Sequence, residues 1–126
     1  MIRITGGSFQ GKVDFARRRF DLTDADIQFC DEDTAAIDAT RRCAAHIECF
    51  ALNRVRAGVE PLDVLGLGER RLDGMILIAT DVSGGVVPVD ATLRAWREAC
   101  GRMNIALAAR ADEVWRLYCG LPQQLK

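Results

Sequence analysis

Three features of the chain together predict an α/β layer fold with a small, mainly parallel sheet. Residues Met1 to Thr5 alternate apolar and polar side chains and stop at Gly6-Gly7, after which residues at helical spacing follow Lys12. Met75 to Ala79 is an unbroken apolar run, the pattern of a strand covered on both faces rather than one with a wet side. Amphipathic stretches with helix-capping residues separate and follow these strands, and strands that alternate with helices build parallel sheets.

Taken in order, Met1-Ile2-Arg3-Ile4-Thr5 reads as a first strand feeding a glycine turn, and Phe15, Ala16, Arg19 and Phe20 mark the helix after it. Asp26 to Cys30 is a brief second strand flanked by acids. From Thr34 to Ala57 the positions Ile37, Cys43, Ala44, Ile47, Phe50, Ala51 and Val55 recur every three or four residues, which predicts one long helix closed by Gly58. Pro61 opens a short helix through Leu65, and Gly66 to Gly74 turns the chain into the apolar strand, which ends at Thr80-Asp81. Asp90 caps a helix from about Ala91 to Ala109, and Val114 to Cys119 forms a last strand before a turn at Gly120-Leu121-Pro122. The result is three or four strands in a single domain spanning residues 1–126. So narrow a sheet leaves edges and faces open, and a homo-oligomer is the expected way to cover them. Phe50, Trp96, Trp115 and Tyr118 fall where a core would use them.

Composition narrows the function classes. The chain is 49% hydrophobic and 28% charged with a formal net charge of −1, so no basic field is offered to a nucleic acid. Arginines such as Arg17-Arg18-Arg19 and Arg41-Arg42 are accompanied by carboxylates, as on solvated faces. Cys30, Cys43, Cys49, Cys100 and Cys119 make an odd number without a C-x-x-C pair, which suggests reduced thiols rather than a disulfide framework or a zinc ribbon. No leader pattern opens the chain and no apolar run approaches the roughly 20 residues that span a bilayer, so a cytoplasmic location is expected.

The stretch GGSFQGK, Gly6 to Lys12, has the spacing of a phosphate-cradling loop and lies between a strand and a helix, the context such a loop requires. Gly6, Gly7 and Gly11 let backbone N–H groups converge on a phosphate, with Ser8, Phe9 and Gln10 completing the cradle and Lys12 reaching the β- and γ-phosphates. Val13 stands where a serine or threonine hydroxyl would ligate Mg²⁺. Mg²⁺ keeps several waters and needs only one or two protein oxygens, so Asp81, beyond the carboxyl end of the apolar strand, or Asp31, after the second strand, are the candidate replacements. Asp14, in the first turn of the following helix, complements its dipole. The glycines Gly84-Gly85 expose backbone beside Asp81 and are a candidate contact for substrate or nucleotide.

Residues 79 to 126, ATDVSGGVVPVDATLRAWREACGRMNIALAARADEVWRLYCGLPQQLK, resemble the end of the adenosylcobinamide kinase / adenosylcobinamide-phosphate guanylyltransferase family of cobalamin biosynthesis. That family shows T-N-E-V-G-x-G-I-V-P, then F-R-D-x-x-G-R-x-N-Q-x-L-A, then A-D-E-V and a terminal G-x-x-x-x-K; here the blocks stand at Ala79 to Pro88, Trp96 to Ala108 and Ala111 to Lys126. ITGGSFQGK resembles the family's V-T-G-G-x-x-S-G-K opening. The chain departs from the pattern at Gln10, Val13, Asp81 and Ile105, where the family has serine, serine, glutamate and glutamine, and it lacks part of the family's middle segment. The resemblance implies a small three-layer P-loop fold, RecA-like with a mainly parallel sheet, in shortened form. It implies GTP or ATP with Mg²⁺, and a corrinoid, adenosylcobinamide, as acceptor. Two steps are implied: phosphorylation of the aminopropanol hydroxyl, and transfer of GMP through a guanylylated histidine. Lys12 and Asp81 are then the catalytic candidates, joined by His46, the only histidine in the chain. Either the predicted long helix that carries His46 matches the family's histidine-bearing segment, or that segment is the part missing. A non-catalytic relative that binds nucleotide as a scaffold or regulatory subunit is the alternative.

Overall fold

The computed structural model describes residues Met1–Lys126. Six strands form one sheet: β1 (Ile2–Gly6), β2 (Ile27–Phe29), β3 (Cys43–Ala45), β4 (Ile76–Thr80), β5 (Glu113–Tyr118) and β6 (Leu121–Gln124). Four α-helices accompany them: α1 (Lys12–Phe20), α2 (Ile47–Arg56), α3 (Pro61–Leu65) and α4 (Ala91–Arg110). The sheet order is β2-β3-β4-β1-β5-β6, parallel throughout except for β6, which returns antiparallel along β5. The first strand of the chain is thus central, with Ile4 registered against Ile78 on one side and Trp115 on the other.

Side-chain alternation along these strands explains the three layers. Leu77 and Ala79 of β4 face one core with Phe50 of α2, Leu65 of α3 and Met103 and Leu107 of α4. Ile76 and Ile78 face the other, with Ile4 and the α1 residues Phe15 and Ala16. Because helices cover both faces, β4 reads as continuously apolar. Asp90 caps α4, its carboxylate accepting from the Leu93 N–H at 2.9 Å. No helix is long and apolar enough to cross a membrane.

The structure corrects the sequence reading in four places. Thr34 to Ala57 is not one helix: Asp31 and Asp38 close local turns through Thr34 and Thr40, the chain then forms β3, and α2 begins only at Ile47. Asp and Thr side chains that bond nearby backbone compete with helix, and here they win. The expected turn after Tyr118 is a two-residue hairpin at Cys119-Gly120, with φ values of 51° and 76°, leading into β6. Both turn residues being left-handed is what matches a tight hairpin to strand twist. Six strands therefore replace three or four, and Tyr118 is exposed on β5 rather than part of the core. Arg3, read as the polar side of an alternating strand, is only 2% exposed beneath α4.

Candidate nucleotide site

The glycine-rich loop leaves the carboxyl end of the central strand and enters α1 at Lys12, as the spacing requires. Gly6 takes a φ of 152°, and a Cβ there would stand 2.5 Å from the Leu117 carbonyl oxygen, so β5 can lie this close only against glycine. Gly11, at φ 83°, is the N-cap of α1. The loop ends at the amino terminus of α1, where unpaired N–H groups and the helix dipole favour an anion. Phe9 forms the exposed tip at φ 56°.

Lys12 is buried, and its Nζ donates to the Gly7 carbonyl at 2.6 Å, drawing the ammonium across the loop. Burial pushes its pKa down, with the nearby Glu48 carboxylate opposing and Arg3 adding to the effect. Gln10 fixes the loop to the hairpin turn. Its side-chain oxygen accepts from the Cys119 N–H at 2.5 Å, and its backbone carbonyl accepts from the Gly120 N–H at 3.2 Å.

His46 lies between β3 and α2, not within a helix, and its left-handed backbone (φ 61°, ψ 41°) sets it at the carboxyl edge of the sheet. A left-handed non-glycine residue is strained and persists only where its surroundings hold it. Together with Phe9, Gln10, Lys12 and Val13 it lines a cleft of about 150 Å³ over the loop. Its Nδ1 stands 3.4 Å from Glu48 Oε1. Hydrogen bonding to that carboxylate raises the imidazole's pKa, against partial burial and the Lys12 charge. Glu48 itself is buried, and its Oε2 accepts from the Thr80 N–H at 3.0 Å. Burial alone would push its carboxyl up, but the bonds from His46 and Thr80 outweigh burial and leave it lowered. The Glu48 carbonyl also accepts from Trp96 Nε1 at 2.7 Å, tying α2 to α4.

Glu48 was not among the residues the sequence singled out, because an acid inside a supposed long helix looks like part of its solvated face. The apolar run Cys43-Ala44-Ala45 just before it is a strand, but three residues in register with the helix that follows gave no signal of it.

The acids named from the sequence are placed differently. Asp81 follows β4, and its N–H donates to the Gly6 carbonyl at 2.9 Å, so its backbone adjoins the start of the loop. Its Oδ1 accepts from the Ser83 N–H at 2.9 Å and from the Ser83 hydroxyl at 2.5 Å. These bonds hold its carboxyl below the usual range. Asp31 follows edge strand β2, three strands from β1 or roughly 14 Å by strand spacing. It spends Oδ1 on a turn with Asp33 and Thr34. Val13 packs its side chain toward the α1 core. No group of three or more His, Cys, Asp or Glu side chains is placed to hold a metal ion. The carboxylate of Asp81 beside the loop's start is a single donor, enough for a Mg²⁺ ion that keeps most of its oxygens from elsewhere and too few to cage a cation with protein alone. The Gly84-Gly85 loop is held by α4: Arg97 donates to the Val86 carbonyl at 2.9 Å and to that of Ser83, and Arg94 donates to that of Pro88 at 3.1 Å.

The family model for cobinamide kinase / cobinamide phosphate guanyltransferase matches residues 60–125, which hold α3, β4, α4, β5 and β6. The bifunctional adenosylcobalamin biosynthesis protein CobU of Salmonella typhimurium is 38% identical over 52 residues, 41% of this chain and 29% of that protein. CobU of Escherichia coli is 36% identical over the same length and shares. The matched stretch thus spans less than a third of either relative. Since the family model covers more than half of its residues, the chain belongs to the cobinamide kinase / cobinamide phosphate guanyltransferase family.

Proposed function

We propose that this protein binds GTP or ATP at Gly6 to Val13 and acts in cytoplasmic assembly of the cobalamin nucleotide loop, transferring a phosphoryl group to the hydroxyl of an adenosylcobinamide-type corrinoid. The observation that carries this reading is the glycine loop between β1 and α1, with a buried Lys12 ammonium drawn across it. On binding, Lys12 would exchange a neutral carbonyl for phosphate oxygens, a charge-assisted partner. Loop amides and the α1 dipole would hold the β- and γ-phosphates, and phosphoryl transfer depends mainly on such positioning and charge neutralisation. Mg²⁺, when bound, supplies further neutralisation between the phosphates. Asp81 beside the loop's start and Glu48 beneath His46 are the carboxylates best placed to assist it, while Asp31 would need a longer reach. His46, with Nε2 free and Nδ1 toward Glu48, has the orienting partner that a nucleophile or proton acceptor needs, so it is the candidate for any covalent GMP step. A homo-oligomer covering the exposed β6 edge belongs to the same reading.

A second reading, a nucleotide-binding scaffold without catalysis, is favoured by Val13, which offers no hydroxyl to a metal, and by the lack of a multidentate acid cluster. Calorimetric titration of the protein and of Lys12→Ala with GTP and ATP, with and without Mg²⁺, tests binding. Loss of Lys12 should weaken it on the order of a hundredfold, the cost of about 3 kcal/mol for a charge-assisted contact. Transfer of labelled γ-phosphate to cobinamide then separates the two readings. Binding without transfer supports the scaffold, and absence of both overturns the nucleotide reading. An acid-labile GMP adduct lost in His46→Ala would assign the covalent step.

A further inference from the structure

Between α4, β1, β5 and the segment after β4 lies a second cavity of about 410 Å³, which shares no lining residue with the cleft over the glycine loop. Arg3 forms part of its wall. Its guanidinium donates from Nη1 to the carbonyls of Ile4 at 2.5 Å and Leu77 at 3.1 Å, and from Nη2 to Asn104 Oδ1 at 2.6 Å. All three acceptors are neutral, and none of the ion pairs in the molecule involves Arg3. Burial lowers this guanidinium to about 10, with Glu48, Cys100 and Asp81 opposing the shift from a distance. Arginine nevertheless keeps its charge at neutral pH, and a buried charge without a counter-ion is costly unless something supplies one. Arg97 and Asp81 also line the cavity, so its formal charge, two arginines and one carboxylate, sums to +1. The remaining wall mixes Thr5, Ser83 and Asn104 with apolar side chains, and two of the latter, Ile105 and Leu125, are 75% and 55% exposed, uncovered by the protein itself.

We propose that this cavity binds a small organic anion, whose carboxylate or phosphate head pairs with Arg3 and Arg97 while its apolar body covers Ile105 and Leu125. The proposal goes beyond the nucleotide reading and does not depend on it. The cavity runs along α4 from Arg3, in the first half of β1, to Asp81 and Ser83 beyond the carboxyl end of β4, the end at which ligands of open α/β sheets enter. Asp81 at the same wall offsets part of the positive charge, so a singly charged carboxylate head should fit better than a doubly charged phosphate.

Heteronuclear NMR titration of the full chain with hexanoate, phenyl phosphate and inorganic phosphate tests this. The Lys12→Ala variant is titrated in parallel so that phosphate held by the glycine loop is told apart. Saturable shifts at Arg3, Asn104 and Ile105 that persist in Lys12→Ala support the site, and comparison of hexanoate with phenyl phosphate identifies the head group. Inorganic phosphate should bind more weakly than either, lacking the apolar body. Arg3→Met, which removes the buried cation, should abolish the shifts. Ile105→Asp, at an exposed position that folding tolerates, should weaken binding about tenfold by like-charge repulsion. If Arg3→Met does not fold, Ile105→Asp decides. Absence of saturable shifts with all three anions, or binding unchanged in these variants, overturns the proposal.

Discussion

The two halves of the molecule differ in what they contribute. Residues 60–125 carry the family match and supply β4, α4 and the β5–β6 hairpin. Residues before them supply the glycine loop, His46 and Glu48, which is most of the candidate chemistry, and lie outside that match. Yet β1 sits between β4 and β5, so neither half completes the sheet without the other. Family membership therefore rests on the half that builds the scaffold, whereas the proposed activity rests on the half docked into it. The contacts at the seam decide whether the second is held as the first requires. They are Gly6 against Leu117, Gln10 against the Cys119-Gly120 turn, and Glu48 against Thr80.

The largest effect should come from Gly6→Ala. The new Cβ would meet the Leu117 carbonyl oxygen at 2.5 Å on a backbone with φ of 152°. Separating β1 from β5 should cost on the order of 3 kcal/mol, a fall of roughly 10 °C in the melting temperature. Gly58→Ala sharpens the comparison, since its φ is 73° but nothing lies within 4 Å of the added methyl. It should lose only about 1 kcal/mol, from backbone strain alone. Equal losses in the two variants would show that close approach at the seam does not matter.

The same division governs what could be read from the sequence. In the matched half, β4 is a single apolar run and α4 has an N-cap aspartate, so length, pattern and cap agree and the elements lie where expected. In the first half the loop and α1 were legible because glycine spacing and helical spacing adjoin. The segment that positions His46 was not. Strand β3 has three residues, all buried, too few to show alternation, and its apolar side chains fall into register with those of α2 and imitate one helix. The left-handed kink at His46 has no glycine or asparagine to announce it. Strand β6 was hidden for a related reason: Pro122 in an edge strand resembles a turn, and Cys119-Gly120 lacks the Asn-Gly signature of a tight hairpin.

A smaller effect is expected at the second contact. Gln10→Ala removes the acceptor for the Cys119 N–H and should cost about 1 kcal/mol, as a single exposed hydrogen bond does. If the loop binds nucleotide in the conformation that Gln10 holds, the same loss of preorganisation raises the dissociation constant roughly fivefold. Cys119 is exposed and adjoins the contact, so its rate of alkylation reports the state of the turn. Faster alkylation in Gln10→Ala, and slower alkylation of the wild type with GTP, would tie the hairpin to the nucleotide loop. Rates indifferent to both would break the link between the halves at this point.

The smallest effect concerns the third contact and is read through pH. His46 has its pKa raised from 6.5 by the hydrogen bond to Glu48, so the pair's stabilisation is fully present below about pH 6.5 and is lost as pH rises through the raised value. Glu48 is lowered from 4.5, so its share is present above about pH 4.5 and is lost as pH falls through the lowered value. Between these limits the pair contributes most. The imidazole is nearly half exposed and solvent screens it, so the change in stability should stay under about 1 kcal/mol. Wild-type melting temperature should fall slightly from pH 6 to 8.5, relative to His46→Asn. Glu48→Gln keeps an oxygen for the Thr80 N–H while removing the charge, so it should flatten this pH dependence without opening the β4 end. Parallel profiles for wild type and His46→Asn would mean that Glu48 does not hold the imidazole. The histidine would then lack the partner on which its proposed role over the loop depends.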